Sequence, residues 1–189
     1  MKVKTNYLRA LAISSAKKDV RYYLNGVLFE GNYMVSTDGA RMTVIVHREK
    51  LSGSFIVPIE LLTRFLKGVP KKQEYVDVTF QDDSFTLVNG PETVSGKVID
   101  GRFPEWRRVI PSTLTGESSQ IAPDYYKDAF EIYRLINGKD RAALYYNGNS
   151  AAVVPCGANA FHVVMPVRPP EMDYEKTISH IQELIKGAQ

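Results

Sequence analysis

The 189-residue chain has a single cysteine, Cys156. No disulfide can form within it, and a thiolate cage for a metal needs more sulfur than it has. Cys156 stands in Val-Val-Pro-Cys-Gly with no basic neighbour in sequence, so a buried, inert thiol is expected there rather than a nucleophile. Long apolar runs are missing too. No stretch reaches the length of a membrane span, and the start, MKVKTNYLRA, lacks the apolar core of a secretory leader. A cytoplasmic location away from membranes is the expectation. Strong charge imbalance is also absent: 24 Lys and Arg against 21 Asp and Glu give a formal net charge of +3. That balance is too mild to indicate nucleic acid by itself, so the distribution of charge must carry that question. No phosphate-cradling glycine motif, HExxH or carboxylate pair beside a local histidine occurs. His47, His162 and His180 lack metal-ligand spacing. The reading is of a protein with no catalytic residues, no metal and no cofactor, and hence not an enzyme.

What the chain does have is repetition. One unit, a short strand, an amphipathic helix and then antiparallel strands, recurs three times. The first helix is expected over residues 5–18, with Leu8, Leu11, Ala12 and Ser15 on one face and Thr5 or Asn6 as its cap. The second starts near Pro58 and buries Leu61, Leu62, Phe65, Leu66 and Val69. The third covers residues 123–137, with Tyr126, Ala129, Phe130, Tyr133 and Ile136 at helical spacing and Gly138 as its stop. Strands are expected at 21–29, 33–35 and 41–46, then 75–80, 84–88 and 93–99, then 142–146, 151–154 and 161–167. Asp38-Gly39 and Asn147-Gly148 mark turns. Helices followed by antiparallel strands predict an α+β fold, with helices on one side of antiparallel sheets. Two units make a domain over residues 1–110. Residues 111–119, PSTLTGESS, read as a linker, residues 120–168 as half a domain, and residues 169–189 as a helical extension. That half domain, left unpaired, points to association with another chain.

Four stretches are specific. They are Asp19-Val-Arg-Tyr-Tyr-Leu-Asn-Gly-Val-Leu-Phe-Glu30, Ser36-Thr-Asp-Gly-Ala-Arg-Met42, Lys97-Val-Ile-Asp-Gly-Arg-Phe-Pro-Glu-Trp-Arg-Arg-Val-Ile-Pro111 and Val163-Val-Met-Pro-Val-Arg168. In this order and spacing they resemble the beta subunit of bacterial DNA polymerase III, the sliding-clamp family. The first three resemble its middle domain and the last its C-terminal segment. The first domain and half of the third have no counterpart here. The resemblance implies the DNA-clamp fold and a processivity factor that holds polymerase on DNA. It also implies an apolar pocket for clamp-binding peptides of polymerase and clamp loader. One wall of that pocket would be Leu24, Thr37, Gly39, Arg41 and Met42, joined by Pro104, Arg108 and Val109. The other would be Val164, Met165, Pro166 and Val167. Met adapts to varied anchors, Gly39 admits close approach, and Arg41 and Arg108 can bond peptide carbonyls or an acidic side chain. Ala40 stands where the family often has a larger polar residue, which alters the lip.

Family rings surround double-stranded DNA without sequence specificity. Lys4, Arg9, Lys17 and Lys18 on the first helix and Arg64 and Lys67 on the second make those helices basic, whereas Asp124, Asp128 and Glu131 dilute the third. Arg21, Tyr22 and Tyr23 match a loop that the family uses on DNA, and an aromatic pair beside arginine can stack on bases. Counting the units of this chain against those of a family ring implies a homotetramer. The alternative is a peptide-binding decoy or regulator that has no ring. A last amphipathic helix over residues 174–186 carries Ile178, Ile181, Leu184 and Ile185 on one face.

Overall fold

The computed structural model describes residues 1–168 and 174–186. β1 (Lys2–Lys4) leads into α1 (Thr5–Ser14). β2 (Gly26–Glu30), β3 (Tyr33–Thr37) and β4 (Arg41–Val46) follow. β5 (Ser54–Pro58) leads into α2 (Ile59–Gly68), and then come β6 (Tyr75–Gln81), β7 (Ser84–Asn89) and β8 (Glu92–Lys97). After a long crossing segment come α3 (Pro123–Asn137), β9 (Ala152–Pro155), β10 (Ala160–Val164) and α4 (Tyr174–Lys186). Two antiparallel sheets result, one ordered β1-β6-β7-β8 and the other β5-β2-β3-β4-β10-β9. α1 lies between α2 and α3, and the three cover the sheets as one layer.

The third unit is not left unpaired, contrary to the sequence expectation. β10 pairs with β4 in antiparallel register, Val163 opposite Met42 and His162 opposite Thr43, and α3 packs along α1. The half domain completes itself in cis by lengthening the sheet of the first unit. The linker is tied down as well. Asn147 accepts from the Thr115 amide at 3.0 Å and donates to the Thr113 carbonyl at 3.2 Å, so the polar segment follows the 147–148 turn.

The two sheets differ in burial for a reason. β6 alternates exposed and buried residues, as a sheet with one wet face should. β2, β3 and β4 are buried almost continuously, because their sheet is covered twice. One face meets the helices through Phe29, Met34, Ile45, Leu8 and Leu11. The other buries Leu28, Val35, Met42, Val44 and Val163 beneath Ile99, Phe103 and Trp106 of the crossing segment.

Other boundaries depart from expectation locally. α1 ends at Ser14, short of residue 18, because Ser15 turns extended and the Ala16 amide donates to the Thr37 carbonyl. No side chain caps its start; Lys4 occupies that position. Residues 22–24 form a 3-10 turn rather than a strand. The reciprocal bonds between Asn25 and the Asp19 backbone, both 2.8 Å, close that loop. β5 is the short strand that the repeated unit places ahead of the second helix, its bounds set by its pairing with β2. Residues 142–146 give only a bridge from Tyr145 to Val153. α3 starts with proline and stops at Gly138, which sits at φ 68°.

Candidate functional site

The β3–β4 turn organises an apolar pocket. Asp38 Oδ1 accepts from the amides of Ala40 and Arg41, both at 3.0 Å. Thr37 Oγ1 accepts from the Gly39 amide at 3.0 Å and donates to the Arg41 carbonyl at 2.7 Å. Gly39 sits at φ +96°, and a Cβ there would lie 2.9 Å from Arg21 Nη1. The left-handed backbone favours glycine, and a side chain there would push the Arg21 guanidinium aside. Arg21 crosses over this glycine, held by Asp19 at 2.8 Å and by the Asp38 carbonyl at 3.2 Å. The guanidinium pulls the Asp19 carboxyl down to about 2.

The opposite wall arrives from more than a hundred residues away. The Met165 amide donates to the Ala40 carbonyl at 2.8 Å, which fixes the C-terminal segment against the turn. Leu24, Thr37, Gly39, Ala40, Arg41, Met42, Pro104, Val109, Val163 and Met165 line a pocket of about 210 Å³, with Arg21, Glu105 and Trp106. Eight of the twelve expected pocket residues are among them.

The other four lie elsewhere. Val164 is fully buried on the helix side. Side chains alternate along β10, and residues directly opposite on paired strands share a face. Val163 is the partner of Met42 and therefore takes the wall position. Pro166 and the exposed Val167 and Arg108 lie outside the pocket lining, and the Val167 amide is drawn away to the Gln120 carbonyl at 2.7 Å. Arg41 lines the pocket, and its guanidinium is already engaged within the protein. It donates to Asp38 at 2.9 Å, to the Ile13 carbonyl at 3.2 Å and to Asp128, and it stacks on Tyr125 at 4.7 Å. Arg41 thus joins the turn to α1 and α3. Sequence reasoning missed Trp106 as a wall because it looked like core, which it also is: the ring is 95% covered, stacked under Arg107 at 4.2 Å.

The expected basic residues divide into separate places. Lys17, Lys18, Arg64 and Lys67 gather with Tyr22 around a groove of about 790 Å³ on the helix layer. It shares Thr63 and Lys67 with a second groove of about 630 Å³, which Arg9, Lys71, Glu131 and Arg134 flank. Arg9 is partly committed, donating to the Val69 carbonyl at 2.8 Å. Lys4 lies apart, in a depression with Lys2, His47 and Arg48. Arg21 belongs to the apolar pocket. Tyr22 is 55% exposed, whereas Tyr23 packs against the cluster around Trp106.

Residues 2–105 match the family described as DNA polymerase III beta subunit, central domain. The chain belongs to the DNA polymerase III beta subunit family. It is 32% identical over 139 residues to the beta sliding clamp of Escherichia coli K12, a match covering 70% of this chain and 38% of that protein. With the beta sliding clamp of Proteus mirabilis it shares 36% identity over 143 residues, again 70% of this chain and 38% of the relative. The matches thus span well under half of these clamps' length. Among solved structures, the DNA polymerase III subunit beta of Borrelia burgdorferi, in complex with a natural product, superposes with a TM-score of 0.74 at 16% identity. It covers 90% of this chain and 64% of the other. The Pseudomonas aeruginosa sliding clamp with ligand gives 0.65 at 20% identity, over 89% of this chain and 66% of the other. The α+β architecture of helices against antiparallel sheets is the clamp fold. No helix among the described residues is long and apolar enough to cross a membrane.

Proposed function

We propose that this chain is a clamp-type processivity component of DNA replication, without catalysis of its own. In this reading it grips short peptides of polymerase and clamp-loader proteins in the apolar pocket and rests its helix layer against duplex DNA. The observation that carries the reading is the pocket. Two family motifs distant in sequence meet there through the Met165–Ala40 bond, around an apolar cavity of about 210 Å³. A volume of that size accepts one or two anchor side chains. Met42 and Met165 supply adaptable walls. The shared groove of Lys17, Lys18, Arg64 and Lys67 supports backbone contact with DNA, since phosphate neutralisation needs cations but no base readout.

A fluorescein-labelled clamp-binding peptide of a bacterial replicative polymerase tests the grip by anisotropy. Met165→Ala should weaken binding about fivefold to tenfold, as loss of a partly exposed anchor contact of about 1 kcal/mol would. Unchanged affinity with intact folding would remove the pocket from the argument. Encirclement is a separate claim. Retention on circular but not linear DNA, together with a tetrameric mass by light scattering, would establish a ring. A monomer that releases both DNA forms alike would favour the peptide-binding decoy.

A further inference from the structure

α4 presents Ile178, Ile181, Leu184 and Ile185, each 44–62% exposed. They recur at i, i+3, i+6 and i+7, one continuous apolar stripe. An exposed stripe of this kind on a helix of 13 residues gains nothing from solvent and needs a partner surface. A second unfilled apolar surface lies close along the chain. Met165 is 39% exposed and Val109 46% exposed at the rim of the pocket already described. From Met165 at that rim to Tyr174 the chain runs nine residues, which reach at most about 30 Å.

We infer that α4 folds back and inserts Ile181 and Leu184 into the pocket of its own chain, acting as a tethered competitor for incoming peptides. The inference rests on the reading of that pocket as a peptide site. Charge agrees with it. The segment from residue 171 to 186 holds Glu171, Asp173, Glu175 and Glu183 against Lys176 and Lys186, while Arg108 is exposed between the wall residues Trp106 and Val109, next to Arg107, which already pairs with Glu30 and Glu105. The pocket volume of about 210 Å³ suits two aliphatic side chains rather than a whole helix. Insertion therefore needs the stripe to lie across the rim with its centre pointing in. A short tether supplies an effective concentration on the order of 1 mM. Even a weak contact with a dissociation constant near ~0.1 mM would then keep the pocket about 90% occupied and reduce apparent peptide affinity about tenfold.

The test uses the full chain. Met165→Cys with Leu184→Cys should form a disulfide within one molecule, at a rate independent of protein concentration. The native Cys156 is buried, with its thiol pushed up to about 12 by burial, and does not compete. A Lys67→Cys with Leu184→Cys control, across the helix layer, should form far more slowly. In parallel, Ile181→Asp with Leu184→Asp should raise the affinity of the fluorescein-labelled polymerase peptide about tenfold. Disulfides formed only between molecules would overturn the cis contact, as would equal rates in the two cysteine pairs. Peptide binding that is equal in the wild type and the double aspartate variant would overturn the competition while leaving the pocket reading intact. Rapid intramolecular disulfide without polymerase peptide binding to either protein would keep the α4 contact and discard the pocket as a replication-peptide site.

Discussion

Replacing His162 by asparagine should remove a large part of the acid sensitivity of this protein. His162 is fully buried on β10, and its Nδ1 lies 2.9 Å from Thr43 Oγ1 on β4. Thr43 in turn meets Ser14 Oγ at 2.6 Å, and Ser14 meets Ser36 Oγ at 2.9 Å, a buried polar chain across α1, β3, β4 and β10. Nε2 has no partner among the described residues. Burial, reinforced by the nearby Arg41 charge, pushes the imidazole down to about 3. The sign follows directly. The unfolded chain takes up the proton near the ordinary value of about 6.5, while the folded chain refuses it. Stability is therefore intact above about pH 6.5 and falls between there and about pH 3. At pH 4.5, two units below the unfolded value, the loss amounts to about 3 kcal/mol. Asparagine keeps a polar atom near the Nδ1 position for Thr43 but carries no titrating group. Urea unfolding at pH 7 and pH 4.5, followed by Trp106 fluorescence, should show the wild type losing about 2–3 kcal/mol more than His162→Asn on acidification. Carboxylate titration is common to both proteins and cancels in that difference. Parallel losses in the two proteins would refute the account.

Three further outcomes follow from the same structure. Val163→Ala and Val164→Ala should separate function from stability. Both should cost about 2 kcal/mol in urea titrations, since both side chains are buried, but only the first should also lower peptide affinity in anisotropy titrations. Gly39→Ala should lose about 1–2 kcal/mol of stability from its left-handed backbone alone, with additional displacement of Arg21 visible as a weakened peptide contact. Lys67→Gln, on the shared rim of the two grooves, should leave folding unchanged; on a plot of log binding constant against log salt for a short duplex, it should make the negative slope shallower by about 0.9.

How much of this was legible in the residues varies by element. α3 could be read to the residue, because Pro123 and Gly138 are strong local punctuation and nothing tertiary opposes them. α1 was overextended because residues 15–18 have adequate helical propensity, and only a long-range bond, Ala16 to the Thr37 carbonyl, withdraws them. The bounds of β5, the short strand ahead of the second helix, were not legible for a similar reason: they come from its pairing with β2. In the pocket, the turn residues and Pro104 were legible through motif resemblance. The parity of β10 was not, since it depends on which residue faces Met42. Likewise, the sequence shows Arg41 without partners, and only the fold brings it to Asp38, the Ile13 carbonyl and Asp128 of α3, which each take one of its N–H groups.

That meeting changes how the pocket should be understood. Arg41 is 12% exposed and Asp128 26% exposed, so their pair is substantially shielded. The same arginine holds Asp38, which shapes the turn, and the Ile13 carbonyl, which ends α1. The pocket floor, the central helix and α3 are thus fastened at one side chain. Docking of the third unit and formation of the pocket are then a single event: α3 brings Asp128 to Arg41 as β10 brings Val163 and Met165 to the wall. Asp128→Asn tests this coupling. Removing one charge from a shielded pair costs on the order of 2–3 kcal/mol. If the event is single, peptide affinity should fall together with hydrogen-exchange protection of β10. Loss of protection in β10 with peptide binding fully retained would show that the pocket does not depend on the third unit being docked.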